Sequence, residues 1–321
     1  MPTEETVVTE LVVTDSPADN VENTAREMRQ SMGAVKLSFS WLGTQRKLSD
    51  AQTKQAAEMF AASTDLVTAS KKLIDTKHPA YKAATAIKSQ ASAFWRGLTL
   101  PYPQEGVRLI RQADVTTFEE RMSDFKAQLD AAVANLQLEY EVIKEKAREK
   151  LGSLYNAEDY PSTLEGVFSI SWEYPPIEPP QYLMTFNPQL YEQERSRIQH
   201  RFEEAVTLAE NAFADELSGL ISHLVERLTD EPDGKKKAFK ASTIENFKEF
   251  YQNFQRMNVR SNANLESLIS QANNLVSGIT PNDLRQSNEL QNALRTQMSE
   301  LKTSLDSVIR EAPRRRILRM E

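Results

Sequence analysis

Three histidines, His78, His200 and His223, are the side chains best suited to hold a metal ion or move a proton near neutral pH. His200 and His223 fall on one helical stretch, about 35 Å apart along its axis and about 140° apart around it. They cannot share a metal ion, and His78 sits before Pro79 in a turn, so no convergent ligand set forms. The chain has no cysteine, which removes disulfides, thiolate nucleophiles and Cys-ligated zinc. Glu139, Glu141, Glu145 and Glu149 interleave with Lys144, Lys146, Arg148 and Lys150, the pattern of ion pairs on a solvated helix face. A catalytic carboxylate pair would have to be assembled from distant segments. Asp233-Gly234-Lys235 echoes a phosphate loop but lacks the upstream glycine and the Ser or Thr after Lys, and it follows a helix, not a strand. It reads as a charged turn. The residues thus predict no enzyme, no cofactor and no metal.

Two groups are suited to contact instead of catalysis. Phe247, Phe250, Tyr251 and Phe254 crowd one helix face. Core packing is the plainer reading, and a partner-binding face is the alternative, because aromatics anchor interfaces. Arg314, Arg315 and Arg316 lie in a basic and apolar tail, Pro313-Arg314-Arg315-Arg316-Ile317-Leu318-Arg319. Such a tail could touch nucleic acid, an acidic protein or a membrane surface. A solvated tail, or one docked on this chain's acidic N-terminal segment, is the plainer reading.

The charge distribution argues the same way. Net charge is −7 over 321 residues. Residues 1–30 hold seven acids and two bases, whereas the last twelve residues hold five arginines and two glutamates. Everything after residue 30, the basic tail included, nets only −2 and gives no bulk reason to bind nucleic acid. No apolar run approaches the roughly 18–20 residues of a membrane span, and the acidic start lacks the basic region of a secretory signal. The expectation is a cytoplasmic protein with no membrane contact. Only 9 glycines argue against an all-β fold.

The elements follow from periodicity. Residues 1–33 read as a disordered acidic segment with a nascent helix near 21–32. Val35, Leu37, Phe39 and Trp41 alternate with Lys36, Ser38 and Ser40, the signature of a half-buried strand. Gly43 permits a turn, and 45–48 return as a short second strand. Ser49 caps a helix expected to run to Ile74, with Met59, Phe60 and Leu66 on its apolar stripe. Pro79 opens another helix, ended by Gly97 and Leu100-Pro101-Tyr102-Pro103, and 107–111 read as a short helical piece. From Asp114, as N-cap, to Gly152, apolar residues recur every three or four positions as in a coiled-coil seam. Phe168, Ile170, Trp172 and Tyr174 alternate as a second strand, which needs a partner and finds it in 35–41. After the proline-rich hinge, Asn187-Pro188 open a second long helix, to Leu228. Ser242 with Glu245 reads as a capping box for a helix to Met257. A further helix spans 265–276, and a last one is expected from Thr280 to Glu311.

This order of features resembles a bacterial family of uncharacterised coiled-coil proteins, a domain of unknown function. The likeness rests on Val35-Lys36-Leu37-Ser38-Phe39-Ser40-Trp41, Pro101-Tyr102-Pro103, the rod from Asp114, and Tyr160-Pro161 ahead of Phe168–Trp172. It covers about residues 34–180, and residues 188–321 lie outside it. Genes of that family are often neighbours of genes for MoxR-type AAA+ ATPases and von Willebrand A-type proteins. The resemblance therefore implies an accessory role beside such an ATPase, and it carries no catalytic residues.

Together these readings predict a mainly α fold, an elongated long-helix coiled coil or bundle with a small antiparallel β element. The expected organisation is a disordered segment (1–33), a coiled-coil module closed by paired strands (34–180), a helical region (181–312) and a basic tail (313–321). The expected function is a scaffold or adaptor working through protein partners, an AAA+ ATPase or further copies of itself among them. The alternative is nucleic-acid binding through the arginine tail.

Overall fold

The structure is a computed structural model, and it describes residues 17–229, 242–257, 259 and 261–311. In chain order its elements are helix α1 (Pro17–Ser31), strands β1 (Met32–Ser40) and β2 (Gln45–Lys47), helix α2 (Asp50–Met59), strand β3 (Ser70–Lys72), helix α3 (Pro79–Leu98), strands β4 (Thr99–Pro101) and β5 (Val107–Arg111), helix α4 (Val115–Leu151), strand β6 (Ser169–Glu173), and helices α5 (Tyr182–Phe186), α6 (Pro188–Leu228), α7 (Ser242–Met257), α8 (Ala263–Val276), α9 (Pro281–Gln286) and α10 (Asn288–Glu311). The fold is mainly α with a small antiparallel β component, as predicted.

Two compact units divide the chain. The ladder unit comprises Ala34–Thr99 and Gln112–Pro175, and the bundle unit comprises the described residues of Met1–Gly33, Leu100–Arg111 and Pro176–Glu321. The single module expected over 34–180 is therefore interrupted. Residues 100–111 belong with the bundle, where Tyr102 meets Phe202 edge-on at 5.6 Å and Arg111 Nη1 donates to the Arg256 carbonyl at 2.6 Å.

The predicted strand pairing anchors the ladder unit. Strands β1 and β6 run antiparallel with Leu37 opposite Trp172, Phe39 opposite Ile170 and Ser38 opposite Ser171. One face is apolar. Trp41 meets Phe168 edge-on at 4.9 Å, and Trp172 packs on Phe118 of α4 at 6.2 Å. Trp41 and Trp172 thus stand at opposite ends of this face, with Phe39 and Ile170 between them. Helix α3 covers the Trp41 end through Tyr81, which accepts a hydrogen bond from Trp41 Nε1 at 3.3 Å, and through Lys88, 4.7 Å from the indole centroid. On the solvent side Lys36 pairs with Glu173 at 3.0 Å.

Helix α4 has 37 residues, about 56 Å of helix. Its seam of Phe118, Met122, Phe125, Leu129, Ala132, Leu136, Tyr140 and Ile143 is buried as predicted, and α3 packs along it. Gly152, at φ +52°, ends it in a backbone region open to glycine. Asp114 differs from expectation. It lies in a 3-10 turn with helical dihedrals, and its side chain does not cap α4.

Several expected helices are corrected. Helix α2 stops at Met59 and does not continue to Ile74. A 3-10 turn at Thr64–Leu66 and strand β3 follow, in a stretch rich in Ser and Thr, whose side chains compete for backbone groups. Strand β2 pairs with β3, not with β1. Residues 107–111 form β5, with Leu109 and Ile110 fully buried, so the expected helical piece is a strand.

In the bundle unit α6 has 41 residues, about 62 Å. Asn187 caps it by accepting from the Leu190 amide at 3.1 Å. Helices α1, α7, α8 and α10 pack against it. The segment expected to be disordered carries α1 at 17–31, because Ala25 and Met28, three apart, bury one helix face. The expected last helix is broken in two. The hydroxyl of Ser287 accepts from the Leu290 amide at 3.2 Å and caps α10 afresh. Where α7 gives way to α8, Ser261 donates to the Glu210 carboxylate of α6. Among the described residues no helix is long and apolar enough to cross a membrane.

Candidate functional site

The aromatic cluster resolves into core. Phe247, Phe250 and Phe254 are 2–3% exposed, and Phe213 of α6 meets Phe250 at 6.2 Å and Phe254 at 5.1 Å. Tyr251 is half-buried. Phe250 and Phe254 fasten α7 to α6, and the three buried phenylalanines are core and not a free partner-binding face, which corrects the second of the two readings for them. Arg314, Arg315 and Arg316 lie outside the described residues, as does Asp233-Gly234-Lys235.

The histidines stay apart. His200 Nδ1 lies 2.7 Å from Glu203 on an open helix face, and His223 Nε2 accepts from Arg227 Nε at 3.4 Å. His78 stands at the start of α3. Among the described residues no three His, Asp or Glu side chains could hold a metal ion.

The ladder unit carries a polar cleft that the sequence did not reveal. It encloses about 500 Å3 between the β2–β3 ribbon, the start of α2 and the turns at 153–159. Arg46 stands directly opposite Lys71 on the ribbon. Like charges in that position repel. Asp159 resolves the conflict by reaching both, with Oδ1 3.2 Å from Arg46 Nε and Oδ2 2.6 Å from Lys71 Nζ. Lys71 is only 9% exposed and also donates to the Leu154 carbonyl at 2.6 Å. The hydrogen bond from Lys71, with a second from Arg46, holds the Asp159 carboxyl below its usual range despite its burial.

Local structure fixes these groups. Asn156 caps the turn that presents Asp159, accepting from the Glu158 amide at 3.0 Å. Tyr160 stacks on Tyr155 at 5.2 Å and donates to the Leu73 carbonyl at 2.7 Å, tying the turn to the end of β3. On the other wall Ser49 and Gln52 form the capping box of α2. The cleft can bind and orient a charged group.

The other unusual feature is apolar. Met59, Phe60 and Leu66, expected to face a core, are 83%, 82% and 89% exposed. All three lie in the excursion of the chain between β2 and β3. In the bundle unit Tyr182, Met184 and Phe186 are likewise open to solvent. Comparison of the chain with protein-family models, with curated proteins and with solved structures finds no match.

Proposed function

We infer that the protein is a non-enzymatic scaffold or adaptor of the cytoplasm, and that it works by holding a protein partner. The observation that carries this reading is the exposure of Met59, Phe60 and Leu66. Burying one such side chain is worth roughly 1.5–3 kcal/mol. Three left in water within eight residues of chain are a cost that association recovers, and exposed apolar groups near one another are a mark of interaction sites. The occupant is an apolar pocket on another protein. The first candidate is a MoxR-type AAA+ ATPase, which the resemblance in residues 34–180 implies.

The test is affinity purification of the tagged full chain from its native host, beside a variant carrying Met59→Ser, Phe60→Ser and Leu66→Ser. The expected result is a partner retained by the wild type and lost by the variant at equal yield. An identical set of proteins on both would overturn the reading.

A further inference from the structure

The cleft is left one charge out of balance. Arg46, Lys47 and Lys71 line it against Glu158 and Asp159, three cations against two anions. Asp159 engages Arg46 through Nε alone, and the Arg46 side chain is 61% exposed. The two terminal nitrogens of this guanidinium make no protein hydrogen bond among the described residues. Held at one edge by a carboxylate, the guanidinium presents its other edge as a fixed fork, the geometry that grips a planar anion with two parallel hydrogen bonds. Lys71 Nζ has a third N–H beyond those used by Asp159 and Leu154. The Ser49 hydroxyl accepts from the Gln52 amide, and its own proton remains to be donated.

We propose that this cleft receives one carboxylate, supplied by an acidic side chain of the partner protein, with Arg46 as the principal contact. A single carboxylate brings the lining to neutrality. A doubly charged phosphate would overshoot it beside Glu158 and Asp159, which disfavours phosphate. A volume of about 500 Å3 exceeds what one carboxylate fills and suits a short peptide segment. Only the source of the carboxylate rests on the adaptor reading. Loss of the cleft function would leave the experiment on Met59, Phe60 and Leu66 standing.

The experiment is an amide chemical-shift titration of the isotope-labelled full chain with an acetylated Gly-Glu-Gly-Gly amide peptide, which carries one carboxylate. Parallel titrations use sodium acetate and inorganic phosphate. The expected result is saturable shifts at 49–52 and 154–159, at least tenfold weaker for acetate and for phosphate. Arg46→Gln should weaken the peptide at least tenfold and Arg46→Lys by less, while Lys72→Gln, outside the cleft lining, should change nothing. Thermal melts accompany each variant. Should Arg46→Gln not fold, Arg46→Lys and the wild-type selectivity decide. No saturable shifts at these amides, undiminished binding by a folded Arg46 variant, or phosphate binding more tightly than peptide would overturn the proposal. Acetate binding as tightly as the peptide would overturn the peptide as source.

Discussion

Phe39 of β1 stands directly opposite Ile170 of β6, and that register draws together two segments about 130 residues apart. Closing so long a loop costs little more than closing a short one, because the penalty grows with the logarithm of length. The match repeats along the face, with Leu37 opposite Trp172 and Trp41 on Phe168. Helix α4 then locks the ladder, since Glu119 accepts from Trp172 Nε1 at 2.8 Å and from the Tyr174 hydroxyl at 2.6 Å.

Trp172→Ala should therefore loosen the ladder unit by about 3 kcal/mol, the lower end for a large aromatic because Trp172 is only half-buried. Trp172→Phe, which keeps the ring against Phe118 and loses only the bond to Glu119, should cost about 1 kcal/mol. Urea unfolding followed by circular dichroism checks both. Unchanged midpoints would mean that the ladder does not hold the unit together.

That pairing was legible because both strands carry one apolar and one serine face over four repeats. The long helices were legible for the same reason, each showing many turns of one period, and Asn187-Pro188 marked the opening of α6. Strands β3 and β4, with three residues each, and β5, with five, offer too few repeats to separate one period from another. The helix expected past Met59 failed because apolar spacing alone was followed through a Ser- and Thr-rich stretch. The cleft was invisible for a different reason. Arg46 and Asp159 are 113 positions apart, and only the folded ribbon makes Lys71 face them both.

Asp159→Asn should leave Lys71, nine-tenths buried, opposite Arg46 with no anion between them. The expected cost at pH 7 is about 2 kcal/mol, below the range for a fully buried pair because the cleft admits water. The sign of its pH dependence follows from the lowered folded pKa. Asp159 contributes stability above the ordinary carboxyl value of 3.8 and loses it as pH falls through the lower folded value. The gap between wild type and variant should be open at pH 7 and narrow steadily below pH 3.8. A constant gap would show that Asp159 acts through shape and not charge.

Glu210 should behave in the opposite sense. Burial raises its pKa, and the hydrogen bonds from Ser261 and Asn262 offset this only in part. The folded chain then binds its proton more tightly than the unfolded chain, so its stability contribution falls as pH rises above the ordinary 4.5. Glu210→Gln should raise the unfolding midpoint at pH 7 and leave it unchanged at pH 4. Equal gain at both values would rule out ionisation as the cause.

Two phenylalanines separate surface from core. Phe254→Ala should destabilise the bundle unit by about 3–5 kcal/mol, since Phe254 is 3% exposed and packs on Phe213. Phe60→Ser should move stability by no more than about 0.5 kcal/mol, since Phe60 is 82% exposed. Denaturant titrations of both variants make the comparison, and a large loss for Phe60→Ser would assign that side chain to the fold.

The adaptor reading is met most directly by a photo-crosslinking amino acid, p-benzoylphenylalanine, placed at Phe60 in living cells of the native host, with the same group at exposed Lys126 as control. The account predicts one discrete adduct with a second protein from position 60, absent from position 126 and competed away by untagged wild type. No adduct from position 60, or the same smear from both positions, would contradict it.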